Sequence, residues 1–169
     1  MFEKHEYVFH ESGGICQVAD ICKSPLDNMP ADRDYYILQP VQDANSMIYV
    51  PVDSDCIFLR RLMNREEAEA LLSKIASVEL IDEKNPKLLR AKYIETMRTH
   101  DPIEWVRVIK TVEARIKLLA ARSQRISETE RSFLERAKKN LHGELALSLN
   151  LEDVKVGQIL SAHIADHTS

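Results

Sequence analysis

The spacing of hydrophobic residues changes near Leu62. Before it, short runs alternate apolar and polar positions, which is typical of half-buried β-strands. After it, apolar residues recur every three or four positions, as in amphipathic helices. Strands are predicted at residues 7–10, 15–21, 35–39, 47–52 and 57–59, and helices at residues 65–77, 86–97, 102–122, 127–149 and 152–165. The pattern predicts an α+β protein, with a small SH3-like or Tudor-like β-barrel in residues 1–62 and an all-α domain of about five helices in residues 63–169.

Two features of the predicted barrel bear on function. Residues 22–34 form a loop that is long for a compact unit, so it is either functional or mobile. Pro51 lies inside the fourth predicted strand, and because proline cannot donate to a β-ladder, this strand is expected at an edge of the sheet. An exposed edge is either capped without a partner or accepts a strand from another protein.

The predicted helices carry recognisable caps. Asn64 is suited to cap the first helix, and Pro86 fits the first turn of the second. Ser127 and Glu130 have the spacing of a capping box, in which Ser127 accepts from the amide of residue 130 and Glu130 reaches back. Trp105, the single tryptophan, lies on the apolar stripe of the third helix and is expected in the core rather than at a base-stacking surface.

The charge of the chain is unevenly distributed. The formal net charge is −4, yet residues 1–62 hold five basic and ten acidic residues, whereas residues 83–140 hold fifteen basic and eight acidic ones. A basic helical segment favours an anionic partner, of which nucleic acid is the commonest. The alternative is a solvated helical surface with many pairs between residues four positions apart.

The basic residues form small groups on the predicted helices. They fit contacts with a phosphate backbone that depend on salt and not on base sequence, since no zinc finger or basic zipper is present. The candidate cations are Lys87, Arg90 and Lys92 on the second helix, Lys110 on the third, and Arg136, Lys138 and Lys139 on the fourth.

Catalytic and metal-binding motifs are not evident. No nucleophile lies in a recognisable elbow, so we expect no enzyme, no cofactor and no small-molecule substrate. His163 and His167 lie four positions apart, but no third ligand suggests itself, and they are expected to be surface residues. A metal-dependent enzyme is kept as a minor alternative, with four possible ligands that lack paired close spacing: His10, Cys16, Cys22 and Cys56.

The composition indicates a folded protein of the cell interior. Hydrophobic residues make up 44% of the chain, which is enough for a core, and no apolar run approaches the roughly 20 residues of a membrane span. The first residues lack the basic and apolar regions of a secretory signal. We therefore expect a cytoplasmic protein without a membrane partner and with reduced thiols.

The order of several motifs resembles the CarD/CdnL family of bacterial transcription regulators. The most specific motifs are Val50-Pro51-Val52 followed by Leu59-Arg60, and the late run Gly143-Glu144-Leu145-Ala146 preceded by Ser127 and Glu130. The similarity extends over nearly the whole chain. The barrel is also similar to the polymerase-binding module of the transcription-repair coupling factor.

The resemblance implies a barrel that binds the β subunit of RNA polymerase and a helical domain that contacts promoter DNA at the upstream edge of the melted region. Members of the family stabilise the open promoter complex without catalysis. The polymerase-binding residues implied here are Tyr36, Met47, Ile48, Tyr49, Val50, Pro51 and Val52. The implied DNA-binding residues are Lys87, Leu89, Arg90, Lys92, Lys110, Arg136, Lys138 and Lys139. By way of the polymerase, the protein is expected at the nucleoid.

The chain departs from the family pattern at two positions. Leu88-Leu89 stands where family members place a tryptophan that wedges against the edge of the bubble, and an aliphatic side chain can insert between bases but cannot stack. Tyr49 stands where a basic residue is common, which leaves main-chain strand pairing as the contact. A protein-interaction adaptor that keeps the barrel but has lost DNA contact is therefore the main alternative.

Overall fold

The computed structural model describes residues 1–165. His167 lies outside the described residues. The chain divides into two compact units, Met1–Leu62 (unit 1) and Met63–Ser169 (unit 2). None of the helices within the described part of the chain combines the length and the apolar character that a membrane crossing requires.

Unit 1 is a curled antiparallel sheet of five strands. The strands are β1 Tyr7–His10, β2 Gly14–Lys23, β3 Asp34–Pro40, β4 Ile48–Pro51 and β5 Leu59–Arg61. Their order in the sheet is β4-β3-β2-β1-β5, so that the sheet is a half-barrel with β4 and β5 at its edges. This arrangement confirms the predicted α+β class and the edge position that Pro51 indicated for its strand.

The fifth strand lies two residues later than predicted. Its pairing with β1 sets Phe9 opposite Arg60, and the Arg60 guanidinium lies 5.0 Å from the centre of the Phe9 ring. Arg61 Nε lies 3.2 Å from a carboxylate oxygen of Glu6. Two arginines carry little of the usual strand pattern, but here their contacts with β1 stabilise the strand.

The core of unit 1 alternates along its strands. The inward side chains that pack together are Val8, Cys16, Val18, Tyr36, Leu38 and Val50. The β1–β2 turn closes one end of this core, with Gly14 at φ +67°, a conformation that glycine adopts without strain. A Cβ placed on Gly13 would lie 2.4 Å from Ile48 Cδ1, so the turn packs closely against β4.

The long loop between β2 and β3 is held by its own first residue. Ser24 Oγ donates to the carbonyl of Met29 at 2.9 Å, and the Met29 amide donates to the carbonyl of Leu26 at 3.0 Å. Arg33 forms an ion pair with Asp53, at 3.4 Å, next to the end of β4. The loop is therefore folded back on itself at the same end of the sheet as Pro51.

Unit 2 is all-α within its described residues, with short loops between the helices. The helices are α1 Arg65–Lys74, which continues as a 3₁₀ turn over Ile75–Ser77, then α2 Pro86–Arg98, α3 Pro102–Ala120, α4 Glu128–Leu149 and α5 Asp153–Ala165. Trp105 is fully buried on α3 and occupies the core position that its stripe predicts. Leu141 and Leu145 of α4 are also fully buried.

The predicted caps are present, with one exception. Asn64 and Glu67 form a complete capping box at α1, and Ser127 Oγ accepts from the Glu130 amide at 3.1 Å at α4. The prediction that Glu130 reaches back to residue 127 is wrong. Its carboxylate accepts instead from Arg115 on α3 and Tyr93 on α2, because these long-range donors compete with the local amide.

The start of unit 2 is fixed to α4 through its main chain. The Met63 amide donates to Glu144 Oε1 at 2.8 Å, and Ser148 Oγ donates to the Met63 carbonyl at 2.6 Å. Glu144 is fully buried, so this hydrogen bond satisfies a carboxylate that would otherwise be costly in the core. The late Gly-Glu-Leu-Ala motif thus has a structural role in unit 2.

Candidate functional site

One long side of β4 has no neighbouring strand among residues 1–165, and we call the main-chain groups on that side the β4 edge. The Val52 amide donates to the Asp34 carbonyl at 2.9 Å, so the main-chain amide and carbonyl of Val52 point toward β3. Antiparallel pairing alternates, and β4 pairs Tyr36 with Val50 and Ile37 with Tyr49. The amide and carbonyl of Tyr49 and the carbonyl of Pro51 therefore point away from the sheet, where an added strand would bind.

The predicted polymerase-binding residues separate into two faces of the sheet. Tyr36 and Val50 are buried in the core of unit 1, and Ile48 and Val52 pack partly against it. The hydroxyl of Tyr36 accepts from the Phe2 amide at 3.0 Å. The side chains of these four predicted polymerase-binding residues are therefore structural, and they position the main chain of β4 from the core side.

The other predicted residues lie on the opposite face, next to the edge. Met47 is 46% exposed, and Tyr49 and Pro51 are half-buried. Ile37 lies beside Tyr49 on β3 and is also half-buried, so it belongs to the same apolar surface. Ile37 was not among the predicted residues, although the alternation of β3, with Tyr36 and Leu38 inward, places its side chain outward.

Acidic residues flank β4 at both ends. Asp43 precedes the strand, and Asp53 and Asp55 follow it. Hydrogen bonds from Ser46 and from the amide of Asn45 lower the pKa of Asp43, so that it stays ionised. A partner strand with basic residues near its ends would be complementary to this edge.

In unit 2, the start of α2 presents the exposed basic residues Lys87 and Arg90. Neither side chain has an ion pair within residues 1–165. Leu89, however, is only 3% exposed, and its assignment to DNA contact is corrected: it lies on the buried stripe of α2 with Tyr93 and Met97. Leu88 is 54% exposed and is the leucine that could reach a ligand.

Three of the predicted cations are engaged within the fold. Lys92 pairs with Glu83 at 3.3 Å, and Lys138 pairs with Glu113 at 2.9 Å. Lys110 is a correction to the predicted set, because its ammonium donates to the carbonyls of Ile75, Ala76 and Val78, at 2.8, 3.3 and 2.7 Å. Burial lowers the pKa of Lys110, but these bonds cap the end of α1 and occupy all three of its donors.

Arg136 and Lys139 are exposed on α4, with no ion pair among the described residues. They lie two to three turns beyond the first turn of α4, where Arg90 approaches. The predicted DNA-binding residues thus do not form one cluster. Those that remain available are Lys87, Arg90, Arg136 and Lys139.

A small cavity of about 140 Å³ joins the starts of α2 and α4. Its walls include Arg90 from α2 and Ser127 and Thr129 from α4. Arg122 and Arg125, in the loop that leads to Ser127, are exposed and have no ion pair in the part of the chain that the structure describes. Neither arginine was predicted from the sequence. Their position just before the N-cap residue Ser127 was the available signal, since the loop that precedes an N-cap lies at a helix N-terminus.

A hydrogen-bonded network underlies this cavity. Arg115 Nε donates to Glu130 Oε1 at 2.6 Å, and the Tyr93 hydroxyl donates to the same oxygen at 3.1 Å. Burial and the neighbouring Glu130 raise the pKa of Tyr93, so the hydroxyl keeps its proton. The network joins α2, α3 and α4 and fixes the end of α2 that carries Leu88 and Arg90.

Comparison with known protein families assigns unit 1 to a family. Residues 2–63 match the family model of the CarD-like/TRCF RID domain. Unit 1 is a CarD-like/TRCF RID domain. Domains of this family are RNA polymerase-interacting, and the resemblance inferred from the sequence is confirmed for this unit. A search of curated proteins found no match to the chain.

The RID domain holds a buried histidine behind its β4 edge. His10 Nδ1 accepts from the amides of Gly13 and Ser12, at 2.9 and 3.2 Å. Burial lowers the pKa of His10 more than the neighbouring Glu11 raises it. The ring is therefore neutral with its proton on Nε2, and it stabilises the turn that packs against Ile48.

Two of the four residues considered as metal ligands, Cys16 and His10, have packing and hydrogen-bonding roles in the RID domain. Burial raises the pKa of Cys16 to about 11, so its thiol is protonated and packs as an apolar side chain. His10 Nδ1 is already used by the turn. Within residues 1–165, no three potential metal ligands come together.

Proposed function

We propose that this protein is a transcription regulator that binds the β subunit of RNA polymerase through the β4 edge of its RID domain. Unit 2 contacts promoter DNA without sequence specificity, and the two contacts together modulate the stability of the open complex. The protein acts without catalysis, in the bacterial cytoplasm, and reaches the nucleoid through the polymerase.

The observation that carries the proposal is an RID domain whose β4 edge is open to strand addition. Main-chain hydrogen bonds to an added strand supply affinity, and the outward side chains beside them supply selectivity. Met47, Tyr49 and Ile37 form an apolar surface next to the outward groups of Tyr49. A strand from the polymerase would extend the sheet there without disturbing the core.

DNA contact is supported by the exposed cations at the start of α2. Lys87 and Arg90 are free of carboxylate partners among the described residues, and both are on the turn that exposes Leu88. Contacts of this kind add little affinity alone, but a coupling free energy of about 1–2 kcal/mol shifts an opening equilibrium roughly 5- to 30-fold. A tethered protein therefore needs few phosphate contacts.

Binding of purified RNA polymerase to the immobilised full-length chain tests the tether. Tyr49→Pro removes the outward amide of β4 and leaves the core untouched, whereas Tyr49→Val removes the ring and keeps the amide. We expect Tyr49→Pro to abolish binding and Tyr49→Val to retain most of it. Equal binding by both variants and the wild type would exclude the β4 edge, and no binding by the wild type would exclude the tether.

An adaptor without DNA contact is the second candidate. It is favoured by the burial of Leu89 and by the engagement of Lys92, Lys110 and Lys138 within unit 2. The two candidates differ in the salt dependence of DNA binding, since phosphate contacts release counterions. Affinity for a fork-junction DNA that falls steeply with salt supports the regulator; no binding at low salt supports the adaptor.

A further inference from the structure

We propose that Pro51 determines which strands the β4 edge accepts: it admits a proline-free strand from another protein and disfavours a second copy of this chain. Pro51 lies in a strand that pairs on one side with β3 and presents its other side to a partner. The proposal adds selectivity to the proposed polymerase contact, but the part that concerns self-association does not depend on that contact.

The geometry defines what the edge offers. Alternation from the Val52–Asp34 hydrogen bond places the outward groups at residues 47, 49 and 51. Tyr49 offers both an amide and a carbonyl, whereas Pro51 offers a carbonyl alone. An incoming strand can therefore form two hydrogen bonds, one given and one accepted, only opposite residue 47 or 49. Opposite Pro51 it finds an acceptor but no donor.

In a symmetric homodimer the missing amide donor of Pro51 occurs twice, once in each copy. Two copies of β4 related by a two-fold axis through Tyr49 would pair Met47 of each copy with Pro51 of the other. Each of these pairs lacks one hydrogen bond, so the dimer lacks two. A proline-free strand from another protein meets Pro51 once and lacks one bond. Each hydrogen bond is worth roughly fivefold in affinity, so the two missing hydrogen bonds weaken self-association about 25-fold.

The acidic residues that flank β4 also disfavour the homodimer. In the same two-fold arrangement, Asp43 of each copy would lie at the end of the strand pair opposite Asp55 of the other. Asp43 remains ionised because hydrogen bonds lower its pKa. Like charges that face each other disfavour the homodimer, whereas a partner strand flanked by lysine or arginine is attracted. The occupant that fits the edge is thus a proline-free strand with basic flanks.

Sedimentation velocity over a range of concentrations tests the proposal in the full-length chain. Pro51→Val restores the outward amide in a strand-forming residue, and Pro51→Ala does so with a smaller side chain. Pro30→Val, in the exposed β2–β3 loop, is the control for loss of a proline. We expect both Pro51 variants to dimerise about 25-fold more tightly than the wild type, and the control to behave as the wild type.

A second pair of variants locates the new contact. Adding Tyr49→Pro to Pro51→Val removes an outward donor again and should return the protein to the monomer. Folded Pro51→Val and Pro51→Ala variants that sediment as the wild type would overturn the proposal, as would dimers that persist in the double variant. A wild type that does not bind polymerase would refute the proposed function while leaving the sedimentation result to decide this one.

Discussion

Arg115 and Glu130 lie with Nε and Oε1 2.6 Å apart, although one belongs to the middle of α3 and the other to the first turn of α4. Tyr93 of α2 donates to the same carboxylate oxygen. Glu130 is thus shared by three helices, and the local capping interaction that its spacing predicts is given up for this network.

The shared carboxylate should be important for the stability of unit 2. Glu130→Gln replaces a carboxylate whose side chain is 12% exposed and leaves Arg115 without an anionic partner, so we expect the free energy of unfolding to fall by about 1–3 kcal/mol. Urea denaturation followed by circular dichroism measures this loss. Glu128→Gln is the matched control, because that side chain is 92% exposed in its ion pair and should change nothing measurable.

The two leucines at the start of α2 should respond in opposite ways. Leu89→Ala opens a cavity in the core and should cost about 2–5 kcal/mol of stability. Leu88→Ala should leave the unfolding transition unchanged, because Leu88 is exposed, but should reduce the lifetime of the open complex if the residue contacts DNA. Thermal melts and heparin-challenge lifetimes measure the two effects; a destabilised Leu88→Ala would contradict the assignment.

Charge reversal at Lys87 and Arg90 should weaken DNA binding without unfolding the protein. Both side chains are exposed on one face of α2, so Lys87→Glu/Arg90→Glu should reduce the slope of log affinity against log salt by about 2. Fluorescence anisotropy with fork-junction DNA at several salt concentrations measures the slope. Lys155→Glu/Arg65→Glu changes the same net charge on exposed residues elsewhere, and an equal loss in that control would indicate a general charge effect.

The stability of the RID domain should fall below neutral pH because of His10. Its pKa is lowered in the folded state from the ordinary value of 6.5, so the unfolded chain takes up the proton more readily. The contribution is fully present above pH 6.5 and is lost as the pH falls through the folded pKa. His142 in unit 2 shifts in the same direction, because burial and then Lys138 lower its pKa. The melting temperature of the wild type should therefore be lower at pH 5.5 than at pH 8, and His10→Asn should reduce this difference. His5→Asn, at an exposed position, is the control and should keep the wild-type difference.

The edge position of β4 was predictable because it depends on one residue whose chemistry is local. Pro51 cannot donate wherever it lies, and Asn64 and Ser127 cap the helices that follow them in sequence. The stripe of α2 would also have placed Leu89 inside, since Leu89, Tyr93 and Met97 are four positions apart and buried together. Preferring Leu89 to Leu88 as a DNA contact overlooked that periodicity.

The role of Lys110 was not predictable in this way. Its three acceptors lie 32 to 35 residues earlier in the chain, at the end of α1, and no local pattern announces such a capping contact. The same holds for Arg60, which stacks on Phe9, the residue opposite it on β1. In both cases the fold itself uses a cation, and Lys110 is one that the sequence suggested as a nucleic-acid contact.

The close approach of Ile48 to Gly13 couples the substitutions that these two positions can accept. A methyl group at position 13 would meet Ile48 Cδ1 at 2.4 Å, so Gly13→Ala obliges the isoleucine to change rotamer on the inner side of β4. Ile48→Val removes that terminal carbon. The two substitutions are therefore non-additive: their total cost is the same by either path, but the cost of each step depends on which comes first. Shortening residue 48 first removes the worst clash, and a methyl group at position 13 then has only the tighter contacts with Cys16 Sγ and His10 Nδ1, at 3.2 and 3.3 Å, left to relieve.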